Sequence, residues 1–153
     1  MITEFRQLRV YQAARRLNQK VWALRGSIEP HSKSTWWQID RAAGSITDNI
    51  AEGFGRATPA DFKNFLRYSR GSTTEVQAQL DRCLDRQLIT QEQHRRVEND
   101  CKSVLLKLEG LTENLERRQG HSRHPSPHTL HEPIIPYGSP TDDPEDLPPW
   151  CHP

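Results

Sequence analysis

The stretch Gln38–Arg56, Q-I-D-R-A-A-G-S-I-T-D-N-I-A-E-G-F-G-R, decides how the rest of the chain folds. At about 100° per residue, its apolar side chains fall within one arc and its polar side chains on the opposite one. The apolar arc holds Ile39, Ala42, Ala43, Ile46 and Ile50. This pattern predicts an amphipathic helix with small residues, such as Gly44, that let a neighbouring helix approach closely. We expect Gly53 and Gly55 to end it, because glycine adopts the left-handed conformation common at helix C-termini.

Two elements precede or open this helix. The same periodicity predicts a first helix from about Thr3 to Arg25, which is also the most basic segment of the chain. Ser34 or Thr35 is expected to cap the Gln38–Arg56 helix by accepting a hydrogen bond from an exposed backbone N–H group. Trp36 and Trp37 are expected to anchor its first turn.

Two further helices follow it. Thr58-Pro59-Ala60-Asp61 predicts a helix start, with a hydroxyl cap, proline at the first position and a carboxylate in the first turn; that helix should reach about Arg86. Gly71 lies in its middle, where glycine costs about 1 kcal/mol relative to alanine, which suggests close contact with another helix. Thr90-Gln91-Glu92-Gln93 matches the capping box of a fourth helix. The sequence therefore predicts an all-α, antiparallel up-down-up-down four-helix bundle over residues 1–118.

Residues 119–153 differ in composition from the bundle, because they contain nine of the eleven prolines and few apolar residues. Such a segment buries too little surface to offset the entropy of ordering, so we expect a disordered, Pro/His-rich acidic tail. No apolar run approaches the roughly 20 residues that a membrane span requires. The N-terminus also lacks the apolar core of a signal peptide. We therefore expect a cytoplasmic protein with no membrane partner.

The net charge of +1 conceals a split along the chain: residues 1–118 carry 20 Lys+Arg and 15 Asp+Glu, whereas residues 119–153 carry one Arg and five acids. Several cations on one helical face release counterions on binding a polyanion, so the basic segments are candidates for contacting nucleic acid. The alternative is an ordinary solvated face. The candidate nucleic-acid-binding residues are Arg6, Arg9, Arg16, Lys20, Arg56, Lys63, Arg67 and Arg70.

Polar residues recur every three or four positions along the Gln38–Arg56 helix and face the third predicted helix. This spacing is consistent with a binding surface, or with a structural polar network that fixes the register of helices or subunits; we favour the network, because buried polar groups must find partners. Its predicted members are Arg41, Ser45, Asn49, Glu52, Ser72 and Glu75.

These motifs carry a family resemblance. Gln38–Arg56, followed by Asp61–Val76 (D-F-K-N-F-L-R-Y-S-R-G-S-T-T-E-V), resembles the four-helix bundle proteins encoded by intervening sequences of bacterial 23S ribosomal RNA genes. The chain is also similar, more distantly, to the accessory subunit of diversity-generating retroelements. The resemblance implies a homopentameric ring, and the second similarity implies binding to nucleic acid and to a reverse transcriptase. Asp40 departs from the family pattern, which usually has a basic residue there.

Catalytic and metal sites find little support in the sequence. The bundle contains His31 and His94 but no nucleophile motif, so we predict no enzyme activity, no catalytic residue and no cofactor. Tail histidines could chelate adventitious metal, but a flexible segment cannot preorganise a metal site, so we predict none. Glu132–Tyr137 and Pro148–Trp150 have apolar anchors that could be docking motifs or merely linker.

The sequence thus favours a non-enzymatic homo-oligomer that binds RNA or DNA through a basic surface, as an accessory of a reverse transcriptase or another RNA-linked enzyme. The alternative is a protein-protein interaction scaffold that does not bind nucleic acid. The charge split adds one hypothesis: the tail acids fold back on the basic body and compete with nucleic acid.

Overall fold

The protein is an all-α four-helix bundle. A computed structural model describes residues 2–56 and 58–121, with side chains up to residue 118. Across these residues every regular element is helical, and the four long helices are accompanied by a 3-10 turn and one short helix. The elements are the 3-10 turn Phe5–Gln7, α1 Arg9–Ala23, α2 Arg25–Ile28, α3 Lys33–Phe54, α4 Pro59–Asp85 and α5 Gln91–His121.

The core lies between the four long helices, and each contributes the face that its periodicity predicts. All five residues of the apolar arc of α3 are buried. Leu17, Leu80 and Val104 bring the apolar faces of α1, α4 and α5 into the same core and are fully buried. Cys83 and Cys101 are also buried there, as free thiols. Burial of each large aliphatic side chain contributes about 1.5–3 kcal/mol before entropy is counted.

Contacts between neighbouring helices show the order in which they pack. Asn18 Nδ2 of α1 donates to Thr47 Oγ1 of α3 at 3.2 Å, and Ser69 Oγ of α4 donates to the Ile46 carbonyl of α3 at 3.1 Å. Other polar contacts join α4 to α5 and α5 to α1. Each long helix therefore has two antiparallel neighbours, and α1 and α5, the first and last, close the bundle.

The prediction of one continuous first helix, Thr3–Arg25, is wrong. Leu8 is extended, with φ −62° and ψ 127°, and its fully buried side chain anchors the break. Gln7 Oε1 accepts from the backbone N–H groups of Thr3 at 2.8 Å and Glu4 at 3.1 Å, so this side chain closes the preceding turn. The helix therefore begins at Arg9, and a second break at Leu24 separates α1 from α2.

The start of α3 also differs from the prediction. Ser32, rather than Ser34 or Thr35, is the N-cap, and its Oγ accepts from the Thr35 backbone N–H at 3.3 Å. Of the two adjacent indoles, Trp36 is buried and anchors the first turn, whereas Trp37 is 61% exposed. Successive helical residues point about 100° apart, so only one of the pair can face the core.

Neither Gly53 nor Gly55 ends α3 by adopting the left-handed conformation. Gly53 is helical and buried, and Gly55 has φ −75°. A Cβ atom on Gly53 would lie 2.5 Å from Phe65 Cβ, so this glycine is required for close packing of α3 on α4. The predicted helix contacts at Gly44 and Gly71 are absent within one chain, since a Cβ at either position would have no neighbour within 4 Å.

The start signals of α4 and α5 are confirmed. Thr58 Oγ1 accepts from the Asp61 backbone N–H at 3.1 Å. In the capping box, Gln93 Oε1 accepts from the Thr90 N–H at 2.8 Å and Thr90 Oγ1 accepts from the Gln93 N–H at 3.2 Å. Helix α5 continues to His121, past the predicted boundary at residue 118. The predicted disordered tail lies, from residue 122 onward, outside the described residues.

Candidate nucleic-acid interface

The predicted polar network forms only in part. Asn49 Nδ2 donates to the Ser45 carbonyl at 2.7 Å and to Ser45 Oγ at 3.0 Å, and Ser72 Oγ donates to Ser45 Oγ at 3.0 Å, which joins α3 to α4. Arg41 and Glu75 are exposed, and Glu52 pairs with Arg56 one turn later. The structure therefore places three of the six residues in one network.

Two of the predicted nucleic-acid-binding residues are held by local partners. Arg6 lies 3.9 Å from Glu4 and stacks on Phe5, with Cζ 4.5 Å from the ring centroid. Arg56 pairs with Glu52, and its Cζ lies 5.0 Å from the Phe65 centroid. Arg6 lies in the 3-10 turn before α1 and Arg56 in the connection after α3, so neither belongs to a face of a long helix.

Three more of the predicted cations lie on α4 beside α5, where acids oppose them. Lys63 Nζ is 3.8 Å from Glu116 Oε1. A groove of about 230 Å³ separates the two helices next to this pair. Its walls carry charges of both signs above an apolar floor, and it is lined by Leu66, Arg67, Arg70, Leu108, Glu109, Thr112 and Glu113. The mixed charge makes this groove a poor site for a polyanion.

The remaining predicted cations, Arg9, Arg16 and Lys20, share the side of α1 that adjoins α5. Arg16 and Arg9 precede Lys20 by four and eleven positions, close to whole numbers of helical turns. The side chain of Lys20 forms an ion pair with Asp100 of α5, which shows where this side of α1 meets α5. All three cations are exposed.

Helix α5 adds cations that the sequence prediction missed. Arg96, Lys107 and Arg118 are four positions before and seven and eighteen positions after Asp100, so they lie on the same side of α5 as Asp100. We call the six residues of the two helices the basic strip: Arg9, Arg16, Lys20, Arg96, Lys107 and Arg118. Its two acids are Asp100, paired with Lys20, and Glu92, paired with Arg96. The spacing that places these cations on one side of α5 is visible in the sequence. Their position beside the cations of α1 becomes visible only when α1 and α5 are known to pack together.

A second missed feature is a pair of exposed indoles at the end of the bundle formed by α1 and α3. Trp22 is 55% exposed and Trp37 is 61% exposed. The side chain of Trp36 lies beneath Trp22, edge to face, with ring centroids 5.7 Å apart. The tryptophans are visible in the sequence, yet helical periodicity alone does not show which of them is buried in the core.

Burial perturbs the two core thiols. The pKa of Cys101 is raised to about 12 by burial, with the nearby carboxylates of Glu98 and Asp100 adding to the effect. Burial also raises the pKa of Cys83. Both thiols are therefore protonated near neutral pH, which is unlike a catalytic cysteine.

The described part of the chain offers neither a metal-binding cluster nor a membrane-spanning helix. Among residues 2–56 and 58–118, His, Cys, Asp and Glu do not cluster in any group of three that could hold a metal ion. Within the same part of the chain, every helix is too short or too polar to cross a bilayer.

The fold and the strip together define a small helical bundle with a basic flank. The family model described as 23S rRNA-intervening sequence protein matches residues 6–110, and the chain belongs to this family. A protein of unknown function from the S23 ribosomal protein family of Bacteroides thetaiotaomicron, solved at 1.70 Å, has a TM-score of 0.64 and 24% identity, over 68% of this chain and 98% of that one. At that identity the likeness shows the shared fold. No curated protein matches the chain.

Proposed function

We propose that this protein is a non-enzymatic homo-oligomer that binds nucleic acid through the basic strip, as an accessory of a reverse transcriptase or another RNA-linked enzyme. One observation carries the proposal: α1 and α5 place six cations along one side of the bundle, where the two acids Asp100 and Glu92 pair with Lys20 and Arg96. Several cations along one side of a helix pair can neutralise phosphates of a nucleic acid strand and release its counterions.

Self-association strengthens this argument, because a closed ring repeats the strip once per subunit and the fields of neighbouring strips add. The ring of five subunits follows from the family resemblance.

The non-enzymatic role is consistent with the chemistry of the α4–α5 groove. Its lining contains one hydroxyl, Thr112, whose Oγ1 donates to the Leu108 carbonyl at 2.8 Å. The charged groups there, Arg67, Arg70, Glu109 and Glu113, can bind a ligand, and the lining pairs no hydroxyl, thiol or imidazole with a base.

The strip is tested by reversing two of its charges, in Arg16→Glu/Lys107→Glu. Fluorescence anisotropy with a labelled RNA of about 30 nucleotides should show binding that weakens steeply between about 50 and 200 mM salt. We expect the variant to bind at least about tenfold more weakly. Its salt slope should fall by about 0.7–0.9 for each phosphate that the variant no longer neutralises.

The matched control, Arg67→Glu/Arg70→Glu, makes the same change of charge in the mixed-charge α4–α5 groove and should have a much smaller effect. Equal reductions of affinity in the two variants would show that binding follows net charge alone. A wild-type chain that binds no RNA or DNA at about 50 mM salt would support the alternative, a protein-protein interaction scaffold.

A further inference from the structure

Trp22 and Trp37 are two exposed indoles at the α1–α3 end of the bundle, and packing beneath Trp22 holds that ring in place. Trp22 rests on the buried Trp36, and Trp37 is the next residue along the rigid α3 helix. Each of these side chains is more than half exposed and leaves apolar surface in water that a ligand can cover.

Each of these indoles carries a cation. Arg25 Cζ lies 5.1 Å from the Trp22 ring centroid, and Arg41 Cζ lies 5.4 Å from the Trp37 ring centroid. A flat π surface with a guanidinium beside it offers both groups that an unpaired nucleotide needs: a stacking partner for the base and a positive charge for the phosphate.

The nearby acids, Glu29 and Asp40, interact with Arg25. Arg25 Nε donates to Glu29 Oε2 at 2.6 Å, and this hydrogen bond, with the charges of Glu29 and Asp40, raises the pKa of Arg25. Arg41 has no carboxylate within ion-pair distance among the described side chains, so its charge stays available beside Trp37. Of the two indole–arginine pairs, Trp37 with Arg41 therefore offers the more available positive charge to a nucleotide.

We propose that Trp22 and Trp37 form a stacking platform for unpaired bases, so that the ligand of this protein is single-stranded nucleic acid. This inference rests on the proposed function and names its substrate class. Bases in a duplex are already stacked on each other and present only their edges, whereas bases of a single strand can lie flat on an indole ring.

A single strand of nucleic acid can contact both the stacking platform and the basic strip. Lys20 of the strip and Trp22 of the platform are two residues apart on α1, and Gln19 and Ala23 between their two sides are exposed. A strand held by phosphates along the strip can cross this exposed end of α1 and place its next bases on the indoles.

The test compares a 12-nucleotide oligouridine with a 12-base-pair RNA duplex, using the full chain and its Trp37→Ala variant. We expect Trp37→Ala to weaken oligouridine binding about tenfold, within the range found for removal of one stacked base, and to leave duplex binding unchanged within about twofold. Trp37→Phe should restore part of the affinity, because it keeps an aromatic face. Trp22→Phe and Trp22→Ala repeat the comparison at the second indole, with thermal melting to check folding.

Tyr68→Ala is the matched control, because it removes an equally exposed aromatic residue of α4 and should leave oligouridine binding unchanged. Salt-dependent binding of both RNAs with equal affinity, unaffected by Trp37→Ala, would overturn the platform and leave the basic strip standing. Sedimentation that changes in Trp37→Ala without any change in oligouridine affinity would also overturn it, since the indole would then contact a second copy. Failure of the wild-type chain to bind either RNA would reject the proposed function itself.

Discussion

Gly53 shows how a single missing side chain sets the distance between α3 and α4. A Cβ atom there would lie 2.5 Å from Phe65 Cβ and 2.9 Å from Phe62 Cδ2, and the first of these atoms cannot move without the α4 backbone. We expect Gly53→Ala to lower the free energy of unfolding by about 1–3 kcal/mol, because overpacking outweighs the gain in helix propensity. Urea denaturation measures this change.

The matched control for that substitution is Gly71→Ala, in the middle of α4. A Cβ atom at Gly71 has open space around it, so the same change should stabilise the chain by up to about 1 kcal/mol. Equal effects at the two glycines would contradict the close approach of α3 and α4 at Gly53.

The buried thiols lead to a second prediction for single residues. Burial raises the pKa of Cys101 to about 12 and also raises that of Cys83, so the reactive thiolate is scarce at pH 8. In a Cys151→Ser variant, which keeps only these two cysteines, a disulfide reagent should label no thiol quickly in the folded protein and both thiols in concentrated urea. Rapid labelling without urea would show that the core opens at α4 or α5.

At the scale of the element, the end of α4 depends on a residue in an unfavourable conformation. Gln87 has φ 57°, and the backbone N–H groups of Gln87 and Leu88 donate to the Leu84 and Cys83 carbonyls, each at 2.9 Å, in a Schellman motif. Glycine adopts this left-handed conformation without the steric cost that a Cβ atom brings.

We therefore expect Gln87→Gly to raise the free energy of unfolding by about 1 kcal/mol, with Gln87→Val lowering it, because a β-branched residue fits this conformation worst. Thermal or urea denaturation distinguishes the two variants. A destabilised Gln87→Gly chain would mean that the glutamine side chain contributes more than its backbone costs.

The helices themselves could be predicted because their information is local. The periodic apolar residues of α3 are buried as the sequence indicates, and the start signals at Thr58 and Thr90 form the expected hydrogen bonds. The predictions that are wrong concern residues where a tertiary contact overrides the local sequence pattern. Leu8 leaves the helix because the core takes its side chain, and Gly53 marks close helix packing where the sequence suggested a helix end.

The candidate site was less predictable, because it depends on which helices become neighbours. Arg9, Arg16 and Lys20 could be read from α1 alone, since their spacing places them on one side. Lys63, Arg67 and Arg70 satisfy the same rule on α4, yet α5 brings Glu109, Glu113 and Glu116 opposite them. The contribution of α5 to the basic strip becomes visible only when α1 and α5 are known to pack together.

At the scale of the whole molecule, charge is divided between the two ends of the chain. Removing residues 122–153 deletes five acids and one arginine, which leaves the bundle with an excess of positive charge. If these acids compete for the basic strip, the truncated chain should bind RNA about tenfold more tightly at low salt, and the gain should shrink as salt is added. Anisotropy titrations at several salt concentrations measure both effects.

The control for the truncation deletes residues 122–131 alone, which removes Arg123 but none of the five acids. RNA affinity should then stay close to that of the full chain. An unchanged affinity after removal of residues 122–153 would reject competition by the tail.

The closure of the bundle by its first and last helices bears on how the protein is made. Lys20 and Asp100 meet although 80 positions separate them, so a growing chain exposes the side of α1 that adjoins α5 until α5 has been synthesised. A product that stops before α5 keeps the cations of α1 but lacks both the partner helix and half of the basic strip. The proposed binding of nucleic acid to this surface therefore requires the completed chain, and nascent or truncated copies should bind the same ligand more weakly.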